Sequence, residues 1–109
     1  MDLTQKKCVP CEVGTAPLAE AEIQELLPQV DKAWKVIDSK KLEREFVFKD
    51  FQEAMGFVNE VAKIAEEEGH HPDLHIFYNK IKIELWTHAS NGLSENDFIL
   101  AAKIDKLLL

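Results

Sequence analysis

The chain is poor in what a secreted scaffold, a membrane span or a nucleic-acid binder requires. It has two cysteines, Cys8 and Cys11, close together near one end. A secreted domain of this size leans on several distributed disulfides, so that class is disfavoured. No apolar stretch approaches the roughly 20 residues needed to cross a bilayer. The first residues also lack the apolar core of a secretory signal. The expectation is a cytoplasmic protein with no membrane partner. Basic side chains are in the minority, 13 Lys and Arg against 20 Asp and Glu, for a net charge of -7. Only Lys6-Lys7 and Lys40-Lys41 are adjacent. Release of counterions from a phosphate backbone needs clustered positive charge, so no nucleic-acid partner is expected. Glycine-rich phosphate-loop and dinucleotide fingerprints are missing too.

What is present suffices for one domain: 109 residues, 46% of them apolar. Residues 1–17 hold both cysteines, Pro10, Gly14 and Pro17 without periodicity and read as an irregular arm. Residues 18–109 read as a single domain. Leu18 precedes a helical pattern of Ile23, Leu26, Leu27 and Val30, which Pro28 should bend or end near Leu27. Strands are predicted over 34–37 and 42–48, joined by residues 38–41. Asp50 and Glu53 form a capping box for a helix whose stripe is Phe51, Ala54, Met55, Val58, Val61, Ala62 and Ala65. Glu66-Glu67-Glu68-Gly69 closes it. Leu74, Ile76 and Tyr78, then Ile81, Ile83 and Leu85, alternate with polar or aromatic neighbours about a turn placed at Asn79-Lys80. That turn pairs Tyr78 with Ile81, Ile76 with Ile83 and Leu74 with Leu85, and carries His71 toward His88. Ser94 and Asp97 cap the last helix, Leu93 and Phe98 staple it, and Leu100, Ala101, Ile104, Leu107 and Leu108 form its stripe. The fold expected is α+β, in the order α-β-β-α-β-β-α: a four-stranded antiparallel sheet with three helices packed on one face. The other face mixes Phe77 and Trp86 with Lys82 and Glu84, which suits a homo-oligomer.

Three histidines carry the chemistry. His70-His71-Pro72 follows a helix end and His88 follows a strand. Imidazoles exchange protons near neutral pH, and two or three around a polar ligand serve as separate acid and base. Pro72 biases His71 toward extended backbone. A lone histidine is more often structural than catalytic; the case rests on the hairpin bringing separated ones together. Three imidazoles also suit zinc, but successive side chains of an extended segment point to opposite faces. No metal is therefore assigned. Cys8-x-x-Cys11 lacks a second pair and reads as two free thiols, with shared metal ligation or a redox disulfide as alternatives. The loop 86–94 offers polar atoms and free N–H groups that suit a planar heterocycle. Within it, the spacing of Ser94 and Asp97 is already explained by capping.

Glu66 through His70-His71-Pro72, Tyr78-Asn79-Lys80, Thr87-His88 and Gly92-Leu93-Ser94 with Asp97 together resemble the pterin-4a-carbinolamine dehydratases, over about residues 18–107. The resemblance implies a 4a-hydroxy-tetrahydropterin substrate, a quinonoid dihydropterin and water as products, no cofactor, and a homodimer or homotetramer. It implies proton transfer by His70 and His88, with His71 positioning the pterin and assisting. Glu66, Pro72, Trp86 and Thr87 are expected on the substrate side. It also implies a functional link to an aromatic amino-acid hydroxylase, in cofactor recycling. A non-enzymatic dimerisation or regulatory protein on the same fold is the alternative. Many relatives carry an acid just before the paired histidines, where this chain has Gly69.

Overall fold

The computed structural model describes residues 2–10 and 13–108, so Cys11 lies outside the described residues. Three helices and four strands follow in the order α1 (Glu20–Leu26), β1 (Lys35–Ile37), β2 (Lys41–Val47), α2 (Phe51–Glu68), β3 (Asp73–Phe77), β4 (Lys80–Leu85) and α3 (Glu95–Lys106). The strands form one antiparallel sheet in the spatial order β1-β2-β4-β3. This is the α-β-β-α-β-β-α arrangement expected. Pro28 sits in a 3-10 turn that takes over from α1 after Leu26, as its missing N–H requires. Among the described residues no helix is long and apolar enough to cross a membrane.

The first hairpin turns through Asp38 and Ser39, both at positive φ (53° and 57°), with Lys40 N–H donating to Ile37 O at 2.9 Å. Two positive φ values match the twist of the flanking strands. The second hairpin departs from expectation. Its register is Leu74↔Ile83 and Ile76↔Ile81, with Phe77↔Lys80 closing on a loop of Tyr78 and Asn79. The pairing is thus two residues from the one predicted, which keeps each side chain on its face but changes its neighbour. Asn79 explains the shift. Its Nδ2 donates to Phe48 O at 2.8 Å, and its own O accepts from Phe48 N–H at 2.8 Å. The turn is therefore clamped to the chain leaving β2, a contact invisible to a local reading.

Leu42, Phe46, Ile81, Ile83 and Leu85 form the inner face and are buried under α2 and α3. Cross-strand pairs such as Leu42↔Leu85 and Phe46↔Ile81 align them. Two expected stripes need correction. In α2, Phe51 and Ala62 are exposed and Phe57 is buried instead, where it packs on Phe46 at 4.8 Å between ring centroids. Leu108, expected on the stripe of the last helix, is exposed two residues past the end of α3, while every residue from Asn96 to Ala102 is buried. That helix is covered on most sides because residues 2–10 pack along it. Leu3 is 2% exposed, in a 3-10 turn spanning Leu3–Gln5. Arg44 is the polar member of the inner face. Its guanidinium reaches Asp105 Oδ1 of α3 at 2.7 Å, beside the indole N–H of Trp34, which donates to the same oxygen at 2.8 Å.

Candidate active site

Gly69 ends α2 in the left-handed conformation (φ 66°), with its N–H and that of His70 both donating to Ala65 O. A Cβ there meets nothing within 4 Å, so the demand for glycine comes from the backbone. This tight stop aims His70 back toward the start of α3, where its Nε2 lies 2.6 Å from Asp97 Oδ1. The other oxygen, Oδ2, accepts from Ser94 N–H at 2.9 Å and from the Thr87 hydroxyl at 3.0 Å. Thr87 Oγ1 is also 2.7 Å from Ser94 Oγ. Asp97 is wholly buried, and its three contacts lie between 2.6 and 3.0 Å. A carboxylate oxygen accepts, so the tautomer of His70 that matches Asp97 Oδ1 donates from Nε2 and keeps its lone pair on Nδ1.

The other histidines are held differently. His88 opens a 3-10 turn, His88–Ser90, that follows β4. Its ring lies over Trp86 with centroids 3.8 Å apart and planes at 31°. The Trp86 indole N–H in turn donates to Asp73 Oδ2 at 2.9 Å, so β3 braces the aromatic plate beneath His88. The loop from Thr87 to Gly92 closes on itself through two backbone bonds. A Cβ on Gly92 would stand 2.8 Å from Pro17 Cβ, so only glycine admits that approach. His71 is exposed and its Nε2 lies 2.8 Å from Glu66 Oε1.

His70, His71, Pro72, Trp86, Thr87 and His88 all line one cavity of about 370 Å³. That is within the usual range for small-molecule sites, roughly 300–1,000 Å³. Glu66 does not line it and touches the site through His71. Extrapolated outward, the observed register sets His71 opposite Trp86 rather than His88; the cavity nonetheless gathers all three histidines. Asp97 is the residue that sequence reasoning assigned to capping alone. A signal was available, since Asp97 shares the spacing of Leu100, Ala101 and Ile104 and so falls on the buried stripe. A buried carboxylate needs partners beyond one N–H.

Two acids near the site are structural. Burial pushes the Glu68 carboxyl up, but hydrogen bonds from Lys103 (2.6 Å) and Cys8 N–H (2.8 Å) outweigh this and leave it below the usual carboxylate value. Burial, reinforced by Glu68, pushes the Cys8 thiol up to about 12. Cys8 is therefore a protonated, packed thiol at neutral pH. Among the described residues, no three His, Cys, Asp or Glu side chains converge as a metal-ligand group.

A family model described as pterin 4 alpha carbinolamine dehydratase matches residues 16–107. The chain belongs to the pterin-4a-carbinolamine dehydratase family. Relatives named for this dehydratase in Alkaliphilus metalliredigens and Nitrosomonas eutropha are 50% identical over 105 residues and 47% identical over 108. These alignments span 96% and 99% of this chain and 95% of each relative. A Brucella melitensis crystal structure, described as a transcriptional coactivator/pterin dehydratase, superposes with a TM-score of 0.78 at 37% identity, over 84% of this chain and 97% of that one. A pterin dehydratase-like protein identified as a RuBisCO assembly factor in the alpha-carboxysome superposes with a TM-score of 0.59 at 25% identity, over 69% of this chain and 88% of its own. The match to the dehydratase family model begins at residue 16, so the arm residues Val9 and Pro10, which also line the cavity, lie outside it.

Proposed function

We propose that this chain dehydrates 4a-hydroxy-tetrahydropterin to quinonoid dihydropterin and water by metal-free histidine acid–base chemistry. The pairing of His70 with buried Asp97, on a cavity that His88 and His71 also line, carries the reading. In the reaction the C4a–O bond breaks and a C4a=N5 double bond forms. The hydroxyl takes a proton and leaves as water, while N5 gives up its proton to a base. The N5 lone pair supplies the electrons, so nothing is oxidised or reduced. His70, oriented by Asp97, and His88, backed by Trp86, take the two proton transfers. His71, held by Glu66, positions the pterin and assists, with Pro72, Trp86 and Thr87 as cavity contacts.

The physiological setting proposed is tetrahydropterin recycling behind an aromatic amino-acid hydroxylase in the cytoplasm, as a homodimer or homotetramer. Exposed Phe77 and the unpaired edge of β3 are the features that suit self-association. The descriptions of the two solved relatives favour one alternative, a non-enzymatic dimerisation or regulatory role on the same fold. Dehydration of freshly generated substrate, with chelator present, separates the two. The native chain should accelerate it and His88→Ala should be slower by roughly 10²-fold or more. A folded native chain that leaves the rate at background would sink the dehydratase reading and favour the partner role.

A further inference from the structure

The arm reaches the histidine cavity at Val9 and Pro10, and its attachment there is built. Asn96, 4% exposed at the start of α3, accepts from Val9 N–H through Oδ1 at 3.0 Å and donates from Nδ2 to Val9 O at 2.6 Å. One residue earlier, Cys8 N–H donates to Glu68 at 2.8 Å. Gly14 N–H donates to the O of Ala89 at 3.1 Å, next to His88. These anchors lie beside the supports of the histidines: Glu68 two residues before His70, Asn96 beside Asp97, and Ala89 beside His88. The N–H and the carbonyl of Val9 are thus both held by one amide, yet the residue is 64% exposed. Val9 and Pro10 both line the cavity. An apolar residue on a backbone fixed this firmly at the cavity wall gains packing when a ligand fills the cavity.

We propose that Val9 and Pro10, clamped by Asn96, form a substrate-positioning wall that holds the pterin by apolar contact. The inference rests on the pterin-site reading, and it assigns the wall to binding and not to proton transfer. Asn96 acts through Val9 and is a positioning residue.

The test uses two variants of the full chain and two readouts. Val9→Ser keeps every backbone bond of the arm and removes the apolar contact; Asn96→Ala removes the clamp. One readout is the KM and kcat for 4a-hydroxy-tetrahydropterin. The other is the Kd of a non-reacting 7,8-dihydropterin, followed by tryptophan fluorescence, since Trp86 lines the cavity. Both variants should raise KM and Kd by roughly three- to tenfold, with the change carried by KM and not kcat. Unchanged Kd and KM in Val9→Ser would overturn the proposal. So would a loss confined to kcat in Asn96→Ala, which would mean that Asn96 works through Asp97. Dihydropterin binding that depends on Val9 in a chain that does not turn over would retain the wall and defeat only the dehydratase reading.

Discussion

One oxygen of Asp97 closes the cap of α3 while the other orients His70. This double use makes Asp97→Asn informative. An amide has a single acceptor oxygen. If that oxygen serves Ser94 N–H and Thr87, the amide Nδ2 faces His70 and the ring must accept at Nε2. The proton then moves to Nδ1 and the lone pair leaves the position proposed for chemistry. The dehydration rate should fall by roughly 10²- to 10⁴-fold, while the α3 cap persists and the melting temperature changes little. An unchanged rate in a folded variant would remove Asp97 from the proton-transfer apparatus. Asp97 was legible in the sequence as a cap because capping spans three residues. Its second partner is 27 residues away and follows no periodic spacing.

The end of α2 shows how a single element sets the site. Three glutamates at a helix C-terminus oppose the helix dipole, yet Glu66 and Glu68 have distinct tasks, one on His71 and the other on Lys103 and Cys8. Gly69 makes the stop possible by adopting φ 66°. Gly69→Ala meets no steric obstacle, so its expected cost is that of a left-handed L-residue, about 1–2 kcal/mol. Urea unfolding should read that loss, and the dehydration rate should fall with it because His70 is aimed by this turn. A variant of unchanged midpoint would show that the left-handed stop is not what holds the helix end. The second hairpin carries the complementary lesson. Its alternation revealed the face of each side chain, but the Phe48–Asn79 clamp chose between two registers that alternation cannot distinguish.

Glu68 joins the arm, α2 and α3, which makes it a reporter of global stability. Its folded pKa lies below the ordinary value of 4.5. A carboxylate of this kind contributes fully above that ordinary value and loses its contribution as pH falls through the lowered one. Thermal melts from neutral pH down to about pH 3 should therefore show a native chain that loses stability below pH 4.5. Glu68→Gln should be less stable at neutral pH, with a flatter acid limb. Parallel curves for the two chains would assign the acid sensitivity elsewhere, for instance to Glu84, whose carboxyl is lowered chiefly by its hydrogen bond with His75.

Periodicity, caps and turn residues, all short-range properties, were enough to determine the order of elements and most of their buried faces and to single out the three histidines; the resemblance to the dehydratases added Glu66, Pro72, Trp86 and Thr87, for seven residues assigned to the site. Six of those seven line the cavity, and the seventh, Glu66, supports His71 from outside it. Long-range contacts decided the rest: β4 between β2 and β3, the hairpin register, the burial of Asp97 against His70, and the seating of Val9 under Asn96. The physical reason is common to all four. Each depends on hydrogen bonds between groups far apart in the chain, and such bonds impose no pattern on the residues that lie between them.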